Sequence, residues 1–80
     1  TVIGIEIGNA GARITGCIIS VTNTGGDAIG VNATPGGHGI AEGCDITVTG
    51  SGDAWGYYAD GADITVESGS IDAAIPMESI

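Results

Sequence analysis

The sequence lacks phenylalanine, lysine and glutamine, and a single arginine, Arg13, stands against ten acidic residues, leaving a net charge of −9. Binding to nucleic acid depends on Lys and Arg side chains that displace counterions from phosphates, so this charge balance argues against it. Adsorption to an anionic membrane surface is disfavoured for the same reason. The chain has no run of about 18 apolar residues, so we do not expect it to insert into a membrane.

Glycine and β-branched residues dominate what is present. The 80 residues include 16 glycines, about three times the ordinary usage. Apolar residues make up 42% of the chain and are mostly Ile, Val and Ala. A disordered chain would be poorer in β-branched residues, and a collagen would place glycine at every third position. The composition therefore predicts a single domain, residues 1–80, of short strands separated by tight turns.

One five-residue segment recurs at a spacing of 26 positions. Ile3–Ile7 aligns with Ile29–Ala33, and both align with Trp55–Ala59. The two later copies share a longer string, since Gly26–Gly30 and Gly52–Gly56 are identical at four of five positions. So many identities at a fixed offset indicate an internal repeat.

A second series of segments lies between the copies of the first. Cys17–Thr22 aligns with Cys44–Thr49 at an offset of 27, and Ala62–Glu67 follows 18 residues later. Apolar residues alternate with Ser and Thr in these segments, as expected of a half-buried strand. A fourth, degraded copy of the first series is predicted at Ile71–Ile75, ended by Pro76 because proline cannot donate to a strand ladder.

The alternation of the two series predicts a right-handed parallel β-helix (solenoid) of about three coils, each of 18–27 residues, with uncapped ends. Stacking of like strands at about 4.8 Å explains why every second strand is similar, whereas a meander of hairpins does not. We expect inward ladders from Ile19, Val21, Ile46, Val48, Ile64 and Val66. The strands of the first series are expected to be lined by Ile3, Ile5, Ile29, Val31, Trp55 and Tyr57, with Gly4, Gly30 and Gly56 between them. The facing of the second set stays open, because Tyr57 and Tyr58 cannot both point inward.

Two sequence segments, Gly26–Ala33 and Ser51–Gly61, alternate with strands of the Ile-Thr-Val type. This pattern resembles the repeats of large bacterial and archaeal surface β-helices, such as autotransporter passenger domains and related adhesin-like or sheath-like proteins. The resemblance covers nearly the whole chain and implies an extracellular or cell-surface, non-catalytic role in adhesion or envelope structure. It supplies no functional residues. The two cysteines depart from the passenger domains, which contain few.

Cys17 and Cys44 occupy equivalent positions of the second series. Stacking would bring their side chains close enough for a disulfide, within or between chains, which fits an oxidising compartment. The alternative is a pair of buried free thiols that pack as small hydrophobic groups. Two cysteines and one histidine do not make a zinc site without a fourth ligand.

Asp27, Asp53 and Asp72 each precede a predicted copy of the first series, so their carboxylates are expected to stack. Each side chain could accept backbone N–H groups at its own turn, as aspartate often does. The alternative is a bound Ca²⁺, which takes six to eight oxygen ligands. No other cofactor is expected.

An enzyme is not expected, although parallel β-helices include polysaccharide-degrading enzymes and carboxylates are available here. A lyase resembling the pectin-degrading enzymes needs a basic residue and a long cleft, whereas Arg13 is placed in a turn by the sequence. His38, in a Pro-Gly-Gly-His-Gly segment, is expected to be an exposed turn residue.

Two binding surfaces remain as alternatives. Trp55, Tyr57 and Tyr58 could form a stacking platform for a glycan, or Trp55 could simply fill the interior. Ranks of threonine on a flat face could bind ice, although the threonines here do not form a regular array. Asn32 begins an Asn-Ala-Thr glycosylation sequon, weakened by the proline that follows it.

No capping element is apparent at either end of the repeat. Terminal strands of a solenoid leave unpaired N–H and C=O groups over an apolar interior, a template for another chain. The sequence therefore predicts that the partner is the protein itself, either as a longer chain or as subunits stacked end to end in a fibre.

Overall fold

The computed structural model describes residues 1–80 and consists of eight β-strands joined by short turns. The strands are β1 (Val2–Ile7), β2 (Gly11–Thr15), β3 (Ile18–Asn23), β4 (Ala28–Ala33), β5 (His38–Gly50), β6 (Ala54–Ala59), β7 (Asp63–Asp72) and β8 (Ile75–Ser79). The prediction of an all-β fold is confirmed. The structure holds no helix with the length and apolarity needed to cross a membrane.

The strands form two parallel sheets, and the chain alternates between them. Sheet A has the order β1-β4-β6-β8. In sheet B the long strand β5 pairs with β2 and β3 along one side and with β7 along the other. Every one of these pairings is parallel, as the repeat predicts. The first three copies of the first series lie in sheet A, and the second series lies in sheet B.

The pairing register follows the repeat over the first two thirds of the chain. In sheet A, Ile3 pairs with Ile29 and Ile29 with Trp55, so the predicted spacing of 26 is confirmed. In sheet B, Ile19 pairs with Ile46 at the predicted spacing of 27. Since side chains alternate between faces with period two, a register held this way keeps like residues on like faces.

The last third of the chain departs from the predicted alignment. Ile64 and Val66 pair with Gly39 and Ala41, not with Ile46 and Val48. The partner of Ile46 is instead Ile71, which belongs to β7 in sheet B.

The last strand of sheet A is also not the segment that the sequence suggested. The segment 71–75 is not a strand of sheet A; that place is taken by β8, in which Ile75 pairs with Trp55. Pro76 lies within β8 and does not end a strand. A proline is tolerated there because β8 is an edge strand, where a nitrogen can face away from the neighbouring strand.

The core lies between the two sheets, and in sheet B every second residue over the second half of β5 points into it. Along residues 44–50, buried and exposed positions alternate, with Cys44, Ile46 and Val48 facing inward. Gly43 precedes this run with a positive φ of 63°, a conformation that costs an L-residue energy but not glycine. The bend at Gly43 divides β5 into two segments, the first pairing with β2 and the second with β3.

The glycines of sheet A explain how its strands face. A Cβ on Gly30 would meet Ile46 and Val48, at 2.8 and 3.1 Å from their Cγ2 atoms, so Gly30 points into the core. The next residue, Val31, is also in the core cluster, so two consecutive residues face inward. The strand therefore bends at this glycine. Ile29 is not part of the core cluster and lies on the other face between Ile3 and Trp55, where it is only 7% exposed.

This bend decides the facing of the sheet A side chains, which the sequence leaves open. Tyr57 lies in the core, whereas Trp55 and Tyr58 contact each other on the outer face. Ile3 and Ile29 occupy the same column as Trp55 and so share its outer face. Trp55 and Tyr57 therefore face opposite sides although they are two residues apart, because a plain period of two does not hold across the bend.

Candidate functional site

The Gly-Asp-Ala turns are tied to one another by a side-chain hydrogen bond. The backbone N–H of Asp53 donates to Oδ1 of Asp27 at 2.8 Å. Gly52 lies directly against the same carboxylate, where a side chain would collide with it. The bond thus joins one turn to the equivalent turn 26 residues later, rather than closing a single turn. Asp27 acts as a fixed acceptor between successive turns.

Asn23 is a second member of this turn that the sequence did not single out. Its amide nitrogen Nδ2 donates to the carbonyl oxygen of Asp27 at 2.7 Å, and its Oδ1 accepts from the N–H of Gly25 at 3.0 Å. Asn–x–Gly spacing before a turn is the signal that could have identified it.

The three predicted calcium ligands are not brought together. Asp72 lies in β7, where it pairs with Thr47 in sheet B, away from the turns of Asp27 and Asp53. No group of three or more His, Cys, Asp or Glu side chains is placed to hold a metal ion. The predicted stacking of Asp72 on the other two residues is wrong because the last repeat is shorter than assumed.

Cys17 and Cys44 are neighbours at one corner of the core and carry free thiols. The N–H of Asp45 donates to the carbonyl oxygen of Cys17 at 2.8 Å, which places the two cysteines side by side on paired segments. Cys44 is buried and Cys17 is half-buried. Burial, followed by the hydrogen bond and charge of Cys44, raises the pKa of the Cys17 thiol.

Tyr57 closes the core next to the thiols. Burial raises the pKa of its hydroxyl, and the charges that Cys44 and Cys17 carry when ionised raise it further. Tyr57 and Cys17 therefore favour their neutral forms in the folded chain, as expected of groups next to an apolar interior.

The aromatic residues do not form the flat platform that was predicted. The rings of Trp55 and Tyr58 are 5.2 Å apart and meet edge to face at 87°, and Tyr57 is on the other side of the sheet. The indole N–H of Trp55 donates to the carboxylate of Glu78 at 2.6 Å. Glu78 is a partner that the sequence did not indicate, since it comes from the neighbouring strand β8. Whether this surface binds a glycan remains a prediction.

Asn32 lies on the outer face of β4, between Glu6 and Tyr58 in sheet A. The hydroxyl of Thr34, the third residue of its sequon, donates to the carbonyl oxygen of Ile7 at 3.3 Å. The asparagine is therefore in a central strand rather than in a loop, and its glycosylation stays a prediction.

Arg13 and His38 lie in strands rather than in turns. Arg13, in β2, forms an ion pair with Glu42 at 2.9 Å. His38 begins β5, with its Nδ1 3.4 Å from Oδ2 of Asp63. At least one partner of each pair is largely exposed, so the pairs contribute little to stability. The turn positions predicted for Arg13 and His38 are wrong, because the strand segments 11–15 and 38–42 belong to neither of the two repeated series.

Apolar side chains are exposed on β1 and β8, the two edge strands of sheet A. Val2 and Ile3 of β1 are 43% and 37% exposed, and Met77 of β8 is 42% exposed. β1 pairs only with β4, and β8 only with β6. Each edge thus combines unpaired backbone groups with apolar side chains, the combination that favours addition of a further strand.

Comparison of the chain with protein-family models, with curated proteins and with solved structures finds no match.

Proposed function

We propose that the chain is a structural or adhesive module of the cell exterior, built as a right-handed β-solenoid whose ends stack on further units of the same kind. The neighbouring unit is either more of a longer chain, as in an adhesin rod, or a second copy, as in a surface fibre or sheath. The observation that carries the proposal is the pair of open, apolar strand edges at β1 and β8.

The order in which the chain visits the two sheets supports the proposed solenoid. Each passage through sheet A is followed by a passage through sheet B, and the next passage pairs in parallel with the one before. Parallel pairing at a spacing of 26 and then 20 residues in sheet A, and of 27 and then 25 residues in sheet B, is what a winding chain produces. Such a winding leaves its first and last turns without partners.

The register of sheet A defines how a further unit would add. Ile3, Ile29, Trp55 and Ile75 form one column, and Ile5, Val31, Tyr57 and Met77 form another. A copy of β1 placed beside β8 in this register sets its Ile3 next to Ile75 and its Ile5 next to Met77. The interface then buries apolar side chains that are exposed in the single unit, at about 25 cal/mol for each Å² of apolar surface.

Charge opposes this stacking at one position. Glu6, Asn32, Tyr58 and Glu78 form a column on the outer face, so the same register sets Glu78 beside Glu6 of the next copy. Like charges directly opposite each other on neighbouring strands are destabilising, by an amount on the order of 0.2–1 kcal/mol. With a net charge of −9 on each unit, stacking of separate copies should be strongest where charge is screened or neutralised.

Sedimentation velocity across a range of concentrations, with electron microscopy of the same samples, tests self-stacking of the 80-residue chain. We expect larger species at about 1 M salt, because the Debye length falls to about 3 Å there and the repulsion between units is screened. Fewer larger species are expected at low salt. Glu78→Gln should allow the same species at lower salt. A chain that stays monomeric under all of these conditions contradicts the fibre and sheath form of the proposal.

A matched pair of variants locates the interface. Met77→Lys places a charge on the open edge and should prevent the larger species, because Met77 becomes buried on stacking. Ile18→Lys is the control, since Ile18 is 85% exposed on the outer face of β3. Equal effects of the two substitutions would show that association does not use the β8 edge.

A further inference from the structure

Cys17 and Cys44 lie at one corner of sheet B, at equivalent places in successive passages of the chain. Each cysteine follows a glycine with a positive φ, 61° at Gly16 and 63° at Gly43. Ile18 pairs with Asp45 immediately after them. The two backbones therefore run side by side in the same conformation at this corner, at a separation of about 4.8 Å for neighbouring strands.

The two sulfur atoms converge on the same stretch of backbone. Sγ of Cys17 lies 3.7 Å from the carbonyl oxygen of Thr15, and Sγ of Cys44 lies 3.7 Å from that of Ile14. Sγ of Cys44 also lies 3.7 Å from the carbonyl oxygen of Glu42, the residue paired with Thr15. Each sulfur thus contacts the carbonyl two residues before it, so both thiols point to the same side of the corner. A Cα separation of about 4.4–6.8 Å is the range that a disulfide spans, and neighbouring strands fall within it.

We infer that Cys17 and Cys44 form an intrachain disulfide that links successive passages of sheet B, with Cys17 as the thiol that reacts first. The assignment does not rest on the proposed function, since it uses only the pairing of β3 with β5. It also makes the disulfide intrachain, a choice that the sequence leaves open.

The order of reaction follows from exposure. Cys44 is 1% exposed, whereas Cys17 is half-buried, so an external reagent reaches Cys17 alone. The reagent is a small-molecule disulfide such as oxidised glutathione. The Cys17 thiolate attacks one of its sulfurs, forming a mixed disulfide and releasing one molecule of reduced glutathione. Cys44 then loses its proton to solvent and attacks the Cys17 sulfur, releasing the second reduced glutathione.

The overall change balances: two protein thiols are oxidised to one disulfide, and one oxidised glutathione is reduced to two thiols. The raised pKa of Cys17 keeps its thiolate fraction low near neutral pH. The first step should therefore accelerate as the pH rises, because only the thiolate attacks.

Reaction of the folded, reduced chain with oxidised glutathione tests the assignment, followed by mass spectrometry and thiol titration. We expect a monomer that has lost two hydrogen atoms, carries no glutathione and has no free thiol. The bond closes the loop between residues 17 and 44, so the melting temperature should rise by about 10 °C. A final product that retains glutathione, or a disulfide-linked dimer, would overturn the assignment.

Two single variants test the order of reaction. Cys44→Ser should stop at the mixed disulfide on Cys17, because the resolving thiol is gone. Cys17→Ser should leave Cys44 unreacted until the chain is unfolded in urea, where both variants should react. Reaction of folded Cys17→Ser at the rate of Cys44→Ser would contradict the assigned order. If either variant fails to fold, the reaction of the wild-type chain still tests the disulfide by itself.

Discussion

The strands β1 and β4 carry nearly the same motif, yet one is exposed and the other is buried. Ile3 of β1 is 37% exposed, whereas its partner Ile29 in β4 is 7% exposed. The same contrast separates β8 from β6, since most of β8 is exposed and most of β6 is not. The two central strands, β4 and β6, have a paired strand on each side, whereas the edge strands β1 and β8 have a paired strand on one side only. Burial of these apolar residues is therefore set by strand pairing more than by residue type.

Gly30→Ala should have the largest effect on the central strands. A Cβ there would lie 2.6 Å from the carbonyl oxygen of Gly56 and 2.8 Å from the side chain of Ile46. Both neighbours are held in the core, so we expect a loss of about 3 kcal/mol in the free energy of unfolding, measured with urea.

Two other glycines provide the comparison for Gly30. Gly4→Ala creates similar contacts in the edge strand β1, which can shift away on its open side, so about half of that loss is expected. Gly8→Ala should be neutral or slightly stabilising, because nothing lies within 4 Å of its Cβ position. Equal losses for Gly30→Ala and Gly4→Ala would contradict the contrast between centre and edge.

Ile46→Ala and Ile71→Ala compare a central and an outer residue of the same column in sheet B. Ile46 is 1% exposed, whereas Ile71 is only partly buried. We expect losses of about 3 kcal/mol and about 1 kcal/mol respectively, because the cavity left at Ile71 opens toward solvent. Urea unfolding of both variants measures the two values, and a larger loss at Ile71 would contradict the burial order.

Asp27→Ala should cost about 1 kcal/mol, the usual value of one hydrogen bond. It removes the acceptor for the Asp53 N–H that joins the two turns. Asp53→Ala is the matched control, because it removes a carboxylate from the equivalent turn without removing that acceptor. If thermal unfolding shows the same change for both, the bond between turns does not contribute to stability.

The smallest expected effect is the loss of stability at high pH. Folding raises the pKa values of Tyr57 and Cys17, so the folded chain holds these protons more tightly than the unfolded chain. Their contribution is complete below the ordinary pKa values and is lost as the pH rises through the folded ones.

Urea unfolding at neutral pH and at about pH 10 measures the loss of stability. Tyr57→Phe should reduce the pH dependence, and Tyr58→Phe, on the outer face, should leave it unchanged. If the free energy of unfolding does not decrease from neutral pH to the higher pH, the predicted direction of the pH dependence is wrong.

The sequence is sufficient for the strand class, the alternation between two series and the register of residues 1–59, because identical motifs recur there at a constant spacing. It is not sufficient for residues 60–80. In that region the spacing of paired residues falls to 25 in sheet B and 20 in sheet A, so alignment by similarity placed Ile64 on Ile46. The face of sheet A on which Trp55 lies could not be predicted either, because the strands bend at Gly30 and Gly56 and a period of two does not reveal such a bend. The contact of Trp55 with Glu78 depends on this shortened repeat and could not be predicted without it.

Amide hydrogen exchange tests most directly whether the open edges are the surfaces that pair. In dispersed chains at low salt, the edge strands β1 and β8 should exchange much faster than β4 and β6. In the larger species formed at high salt, the amides of β1 and β8 should become protected to the level of the central strands. Protection of the edges in the dispersed chain, or continued fast exchange in the assembled one, would contradict the account.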